Sequence, residues 1–269
     1  MRYNIGMNRT EGSANLPRAE AVQTLANWIR EAKRIVFFGG AGVSTESGVP
    51  DYRSADGIYA HEDRAEATLT PRVMYYEPER FWRFYRRWFM PEGVKPNPAH
   101  RVLAELEARG KLTAIVTQNV DNLHQDAGSQ HVLELHGNGT RFYCLDCQRN
   151  YNVADVREMS AVPRCSCGGR IRPDIVLYEE GLDGDVMNES RRAIRYADLL
   201  IIGGTSLAVW PAAGLLMDAR PSARVVLINR EDVSSAVPIN LMIREPIGAF
   251  LADVLAAVDA TDSGDKPDA

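Results

Sequence analysis

The chain has 269 residues, of which 45% are hydrophobic and 25% charged, and a formal net charge of -5. That balance suits one large globular domain, or a large one with a small companion, each able to bury a core. The mild acidity argues against a dedicated nucleic-acid binder, no apolar run approaches the ~20 residues of a membrane span, and the polar segment 1–15 lacks the apolar centre of a secretory signal, so a cytoplasmic protein without membrane contact is expected.

In chain order, segment 18–33 places Val22, Leu25, Ala26 and Ile29 at helical spacing. The apolar run 35–38 predicts a buried strand ending in Gly39, Gly40 and Gly42. Glycines at such a turn bring backbone N–H groups to a phosphate, and the start of a following helix favours its charge. The dinucleotide fingerprint is incomplete, because Thr45 stands where its third glycine would be. Spacing alone leaves a nucleotide loop and an ordinary strand–helix turn both open.

Segment 71–90 carries Phe81, Trp82, Phe84, Tyr85, Trp88 and Phe89, and reads as a helix whose rings pack in the core. After a loop at 92–98, segment 99–109 repeats Val102, Leu103 and Leu106 on one helical face. A second buried strand at 112–116 leads into the polar run Gln118, Asn119, Val120 and Asp121. Strands are predicted again at 175–177, 199–202 and 225–228, with helices at 186–196 and 211–218. This alternation predicts a parallel sheet covered on both faces. The expected fold is therefore α/β, a doubly wound, Rossmann-like sheet built from segments 16–54, 98–140 and 171–260. Two insertions form a small domain, a helical one at 55–97 and a cysteine-bearing one at 141–170. Segments 1–15 and 261–269 read as disordered tails.

All four cysteines fall inside the second insertion, as Cys144-x-x-Cys147 and Cys165-x-Cys167. Two thiolate knuckles at this spacing suit a closed tetrahedral zinc site. The insertion has few large apolar residues, so the metal would supply its folding energy. With four sulfur ligands no position is open to water or substrate, and the expected zinc is structural. Unliganded thiols or a redox pair are the alternatives.

The run Gly40-Ala41-Gly42-Val43-Ser44, with Gly48-Val49-Pro50-Asp51-Tyr52-Arg53, resembles the cofactor loop of the sirtuins, written GAGxS…GIPDFR. The sirtuins are NAD-dependent protein lysine deacylases. Segments 117–128, Leu135-His136-Gly137 and Gly204-Thr205-Ser206-Leu207 match the same pattern in order, with the cysteine insertion in its place. The resemblance spans nearly all of 35–228, and bacterial members use both cysteine spacings.

This resemblance implies cleavage of the nicotinamide–ribose bond of NAD, attack by an acyl-lysine oxygen, and products nicotinamide, free lysine and O-acetyl-ADP-ribose. It implies His136 as general base toward a ribose hydroxyl, a role suited to an imidazole titrating near the working pH. Asn119 would hold the nicotinamide ribose and Asp121 the carboxamide. Tyr52 would shield the sugar and Arg53 would contact phosphate or ribose, with Gly40, Ala41, Gly42, Ser44, Thr45, Asp51, Gln118 and Val120 lining the same pocket. Gly204, Thr205 and Ser206 would hold the adenosine side, with Asn229 at the adenine ribose and Ile247 beside the adenine. The acyl-peptide strand would add between 176–180 and 207–211, making Val176, Tyr178, Leu207 and Val209 substrate-binding. His61, His100 and His131 read as incidental, and His124 has no catalytic counterpart.

Two departures bear on specificity. The family often has phenylalanine–glycine–glutamate where this chain has Tyr178-Glu179-Glu180. Members preferring acidic acyl groups carry a tyrosine with an arginine three residues on; here Tyr85 is followed by Trp88, which implies acetyl or longer neutral groups over succinyl. Mono-ADP-ribosyl transfer and a non-catalytic NAD-sensing or scaffold role share the loop and stand as alternatives.

Overall fold

The computed structural model describes residues 16–62 and 64–262. Helix α1 (Arg18–Glu31) leads into strand β1 (Ile35–Gly39), then two 3-10 turns at Ala41–Val43 and Thr45–Ser47. A helical segment follows: α2 (Ile58–His61), α3 (Ala65–Thr68), α4 (Pro71–Tyr76) and α5 (Pro78–Phe89). The chain continues through α6 (Pro98–Ala108), β2 (Leu112–Thr117), α7 (Leu123–Asp126), β3 (Val132–Glu134), β4 (Gly137–Cys144), β5 (Asn150–Asn152), α8 (Val153–Arg157) and β6 (Ile171–Ile175). It closes with α9 (Gly184–Tyr196), β7 (Leu199–Gly203), a 3-10 helix at Ala212–Asp218, β8 (Arg224–Ile228), β9 (Leu241–Ile243) and α10 (Ile247–Asp262).

Six strands form one sheet in the order β3-β2-β1-β7-β8-β9, every pair parallel. Strand order reverses between β1 and β7, which makes the carboxyl ends of those two strands the switch point where such sheets bind ligands. The register explains why motifs far apart in sequence converge. Glu134 pairs with Thr117, Thr117 with Gly39, Gly39 with Gly203, Gly203 with Ile228, and Ile228 with Ile243. Six strands thus end level, and the loops carrying Gly40, Gln118, His136, Gly204 and Asn229 leave the same edge.

β1 and β7 are buried at all five positions because both faces of the sheet are covered. Ile35 and Phe37 join a core with α1, α6 and α10, whereas Val36 and Phe38 face α9 and the 3-10 helix. A third core unites the aromatics of α5 with Phe142, Cys144, Val156, Cys165 and Ile171. The two insertions therefore share one apolar interior beneath a small antiparallel sheet of order β5-β4-β6.

Several expectations need correction. No α-helix follows β1: the Gly42 N–H donates to the carbonyl of Gly204 at 2.8 Å, and the chain turns in 3-10 steps. The loop therefore presents no α-helix N-terminus to a ligand, contrary to expectation. The helix expected over 71–90 breaks at Glu77 (φ -128°, ψ 52°), the residue before Pro78, where proline disfavours the helical region. The run 175–177 does not join the parallel sheet. Its Ile175 ends β6, whose alternating burial at Ile171, Pro173 and Ile175 is that of a half-buried strand, and which pairs antiparallel with β4. The 211–218 segment is 3-10, not α. Of the two tails, 1–15 and 263–269 lie outside the described residues, while α10 runs on through Asp262. Among the described residues no helix is long and apolar enough to cross a membrane.

Candidate active site and cysteine cluster

The level strand ends open into a cavity of about 610 Å³ between the large sheet and the helical segment. Its wall includes Gly40, Ala41, Gly42, Thr45, Asp51, Tyr52 and Arg53 from the first loop, and Gln118, Asn119, Val120, Asp121 and His136 from the loops after β2 and β3. Gly204, Thr205, Ser206 and Val209 come from the loop after β7, and Asn229, Ile247, Val176 and Tyr178 from other segments. Two expected residues are not on the wall. Ser44 is fully buried behind it, and Leu207 packs against the core below β7.

Close backbone approach seals the first loop against the loop after β7. A Cβ on Gly42 would meet Gly204 Cα at 2.8 Å, and one on Gly204 would meet the Val43 nitrogen at 2.2 Å. Gly204 also has φ +57°, in the left-handed region that glycine adopts without penalty. Gln118 ties this seam to β2, its amide donating to Thr205 Oγ1 at 3.1 Å.

Ser44 acts from behind. Its hydroxyl donates to Asp121 Oδ2 at 2.6 Å and accepts from Asn119 Nδ2 at 3.1 Å. Asp121 also accepts from the Leu123 N–H at 3.0 Å. Burial pushes the Asp121 carboxyl above the ordinary range, with the Ser44 and Leu123 bonds opposing that shift.

The ring of His136 is fixed by one bond: its Nδ1 lies 2.9 Å from the backbone carbonyl of Gln118. A carbonyl only accepts, so Nδ1 carries the proton, and among the described residues the Nε2 lone pair has no partner. Burial lowers the His136 pKa below 6.5, against the smaller opposing pull of that carbonyl. The imidazole is therefore neutral near pH 7, with one nitrogen ready to accept a proton.

A histidine pair lies deeper. Asn97 caps α6, its N–H donating to His100 Nδ1 at 3.3 Å, while His100 Nε2 sits 3.5 Å from the Ser44 hydroxyl. The His124 ring meets His100 edge-on at 4.8 Å between centroids, and neither of its buried nitrogens has a hydrogen-bond partner among the described residues. Burial drives their pKa values down to about 4 and about 3, so both stay neutral. Neither is incidental to the packing behind the first loop.

Beyond the polar wall the cavity turns apolar, against Trp88, Phe89, Met90, Pro91, Val94 and Val153. Tyr85 does not reach it; the ring is buried and its hydroxyl donates to the Gly139 carbonyl at 2.9 Å. Trp88 is held by its indole N–H, which donates to Glu62 at 3.0 Å, a carboxylate shared with Arg87. Arg86 points away and donates to the carbonyls of Val156 and Ser160.

In the second insertion, the four cysteine sulfurs lie within 4.8 Å of one another. Cys144 and Cys167 are 3.6 Å apart, and Cys147 and Cys165 3.5 Å. Zinc at about 2.3 Å from each sulfur sets tetrahedral edges of about 3.8 Å, whereas a disulfide needs about 2.05 Å. Each knuckle turns through a left-handed residue, Gln148 (φ 59°) and Gly168 (φ +89°). Their N–H groups donate to the carbonyls of Cys144 and Cys165 at 3.0 and 2.8 Å. The donor set fits a structural zinc ion.

The profile of the Sir2 family matches residues 40–211, the span that carries both loops and the cysteine cluster. The chain belongs to the Sir2 family. A relative named NAD-dependent protein deacetylase from Clostridium perfringens is 46% identical over 243 residues, 88% of this chain and 99% of that one. Another of the same name from Cutibacterium acnes is 45% identical over 240 residues, 88% and 98% of the two chains. Among solved structures, a Sir2 protein with a deacetylated p53 peptide and 3'-O-acetyl ADP ribose superposes with a TM-score of 0.81. It is 36% identical, covering 87% of this chain and 97% of its own. A Sir2 homologue in complex with NAD also gives 0.81, at 31% identity, covering 95% of this chain and 98% of its own.

Sequence reading of this Sir2 chain missed Glu46, whose carboxylate accepts from the Gly248 N–H at 2.7 Å and so joins the first loop to the start of α10. It also missed the apolar end of the cavity and the His100–His124 pair. The Asn97-Pro98 cap with a histidine at its third position was a usable signal for His100; nothing local marks Glu46.

Proposed function

We propose that this protein is an NAD-dependent protein lysine deacetylase that releases nicotinamide and O-acetyl-ADP-ribose, with acyl-lysine proteins or peptides as substrates. The observation that carries the reading is His136, neutral and with Nε2 free, on the same cavity wall as Asn119 and Asp121. Support comes also from the shared name of the bacterial relatives and from Sir2 structures holding NAD or an acetylated ADP-ribose product.

NAD supplies the electrophilic sugar carbon and the acceptor for the acyl group. Ala41 and Thr45 face its phosphates, Gly40 and Gly42, whose N–H groups donate to the Gly203 and Gly204 carbonyls, leave the phosphates room to approach, and Gly204, Thr205, Ser206, Asn229 and Ile247 receive the adenosine. Asn229 now donates to the Glu231 carbonyl at 2.9 Å and would exchange that bond for ribose. Asp121, held by Ser44, accepts from the nicotinamide amide, and Asn119 orients the adjoining ribose. Asp51 shapes the loop, its Oδ1 accepting from the N–H groups of Arg53 and Ser54 at 3.1 and 2.8 Å. Tyr52 and Arg53 close over the sugar. His136 takes the ribose proton at Nε2 while Gln118 holds Nδ1–H. The peptide strand lies along Val176 and Tyr178 on one side and Val209 with the backbone of Leu207 on the other.

The small domain comprises the two insertions together with strands β4 and β6, a division supported by their common core. The zinc serves that core and takes no part in the chemistry. Incubation with NAD and an acetyl-lysine peptide tests the reading: nicotinamide and deacetylated peptide should appear together. Nicotinamide release without peptide loss of acetyl would contradict it.

A further inference from the structure

Tyr59, in α2, is not on the cavity wall, yet it joins both sides of the cleft. Its hydroxyl lies 2.7 Å from Glu66 Oε1 and 2.8 Å from the hydroxyl of Tyr178. A carboxylate only accepts, so the Tyr59 proton goes to Glu66, and Tyr178 must donate to the Tyr59 oxygen. The order of donors is fixed: Tyr178 to Tyr59 to Glu66.

On its other side Tyr59 braces the first loop. Its ring meets Tyr52 edge-on, 5.7 Å between centroids, and the Arg53 guanidinium carbon lies 5.6 Å from its centre. Its N–H donates to the Tyr52 carbonyl at 3.0 Å, and that of Ile58 to Asp51 at 2.8 Å. Tyr52 and Arg53 both line the cavity, and Arg53 reaches across to Ser206 Oγ at 3.4 Å.

The segment bearing Tyr178 is held without that hydroxyl. The Tyr178 N–H donates to the Leu69 carbonyl at 2.9 Å, and Glu180 takes a two-pronged bond from Arg172 at 2.9 and 3.0 Å. Leu177 N–H donates to Glu180 at 2.8 Å. Among the described residues the hydroxyl therefore has one connection, to Tyr59, and it leads to the nucleotide loop. A phenylalanine here, as the family often has, would keep the ring and lose the connection.

We propose that the Tyr178 hydroxyl is a positioning group that fixes Tyr59, and through it Tyr52 and Arg53, so that the peptide-side segment sets how firmly the loop holds the nucleotide. This rests on the proposed function of the cleft. It makes NAD affinity depend on a residue of the peptide groove.

The test is Tyr178→Phe, assayed with NAD and an acetyl-lysine peptide varied independently, with NAD binding to the free protein measured by calorimetry. Loss of one hydrogen bond should raise the NAD KM and Kd about three- to ten-fold, and the peptide KM by less. Tyr59→Phe should weaken NAD at least as much, and the double variant no more than Tyr59→Phe alone, since both remove one link. An NAD Kd within about two-fold of wild type in Tyr178→Phe, additive effects in the double variant, or a peptide KM that rises as far as that of NAD would overturn the proposal. A wild-type protein inert toward acetyl peptides would instead sink the proposed function, and the calorimetric comparison would still decide the link.

Discussion

Gly42 and Gly204 touch through bare backbone, the N–H of the first 2.8 Å from the carbonyl of the second. The loops after β1 and β7 are thereby sealed at the switch point of the sheet, and a side chain at either position would part them. Gly42→Ala places a methyl 2.8 Å from Gly204 Cα, inside any real contact. The expected result is a folded protein whose NAD affinity falls at least about ten-fold, since one misplaced loop removes several phosphate donors. Calorimetry with NAD checks this; unchanged affinity would remove the seam from the account.

Removing the proton acceptor should spare binding. His136→Ala is expected to keep NAD affinity within a few-fold while costing roughly 10²–10⁴-fold in deacetylation rate. In wild type, burial holds the His136 pKa below 6.5, so the reactive neutral form is complete above that value and lost as pH falls through it. kcat/KM should rise along an acid limb with its midpoint below 6.5 and level off toward neutrality. A midpoint above 7, or the same limb in His136→Ala, would contradict the assignment.

Structural zinc makes a specific demand. Stripping the metal with a chelator, or replacing Cys147 by serine, should loosen the β4–β6 sheet and the shared core around Phe142 and Trp82. The large sheet has cores of its own and should persist. Hydrogen exchange should show loss of protection in 137–175, with β1 and β7 unaffected. Uniform loss across both sheets, or none, would count against the role given to the cysteines.

Acyl preference follows from the apolar end of the cavity. Trp88 lines that end of the cavity, and Arg86 and Arg87 are committed to backbone carbonyls and Glu62. A succinyl carboxylate would be desolvated there without a cation. Turnover of a succinylated peptide should be at least about ten-fold below that of its acetylated twin; comparable rates refute the reading.

Most of the sheet was legible because β1 and β7 are continuous apolar runs and β2 and β8 carry such runs after one exposed residue, and these runs mark strands buried on both faces. The run 175–177 was misassigned because three successive apolar residues do not reveal which sheet they serve, and only Ile175 belongs to a strand, β6. The polar site was legible through its motifs, since Gly40, Asn119 and His136 follow strands that end level. What stayed hidden are contacts that only tertiary register creates. Glu46 and Gly248 lie at opposite ends of the chain, Tyr59 sits in a short helix with no local signal, and the burial of His124 depends on packing against Phe37 and His100.

The central claim is that the acyl group leaves lysine for the sugar of NAD. Mass analysis of products from an acetyl-lysine peptide and NAD tests it most directly. The account predicts one O-acetyl-ADP-ribose and one nicotinamide for each lysine freed. Free acetate formed without nicotinamide, or ADP-ribose attached to protein in place of the acetylated sugar, would contradict it.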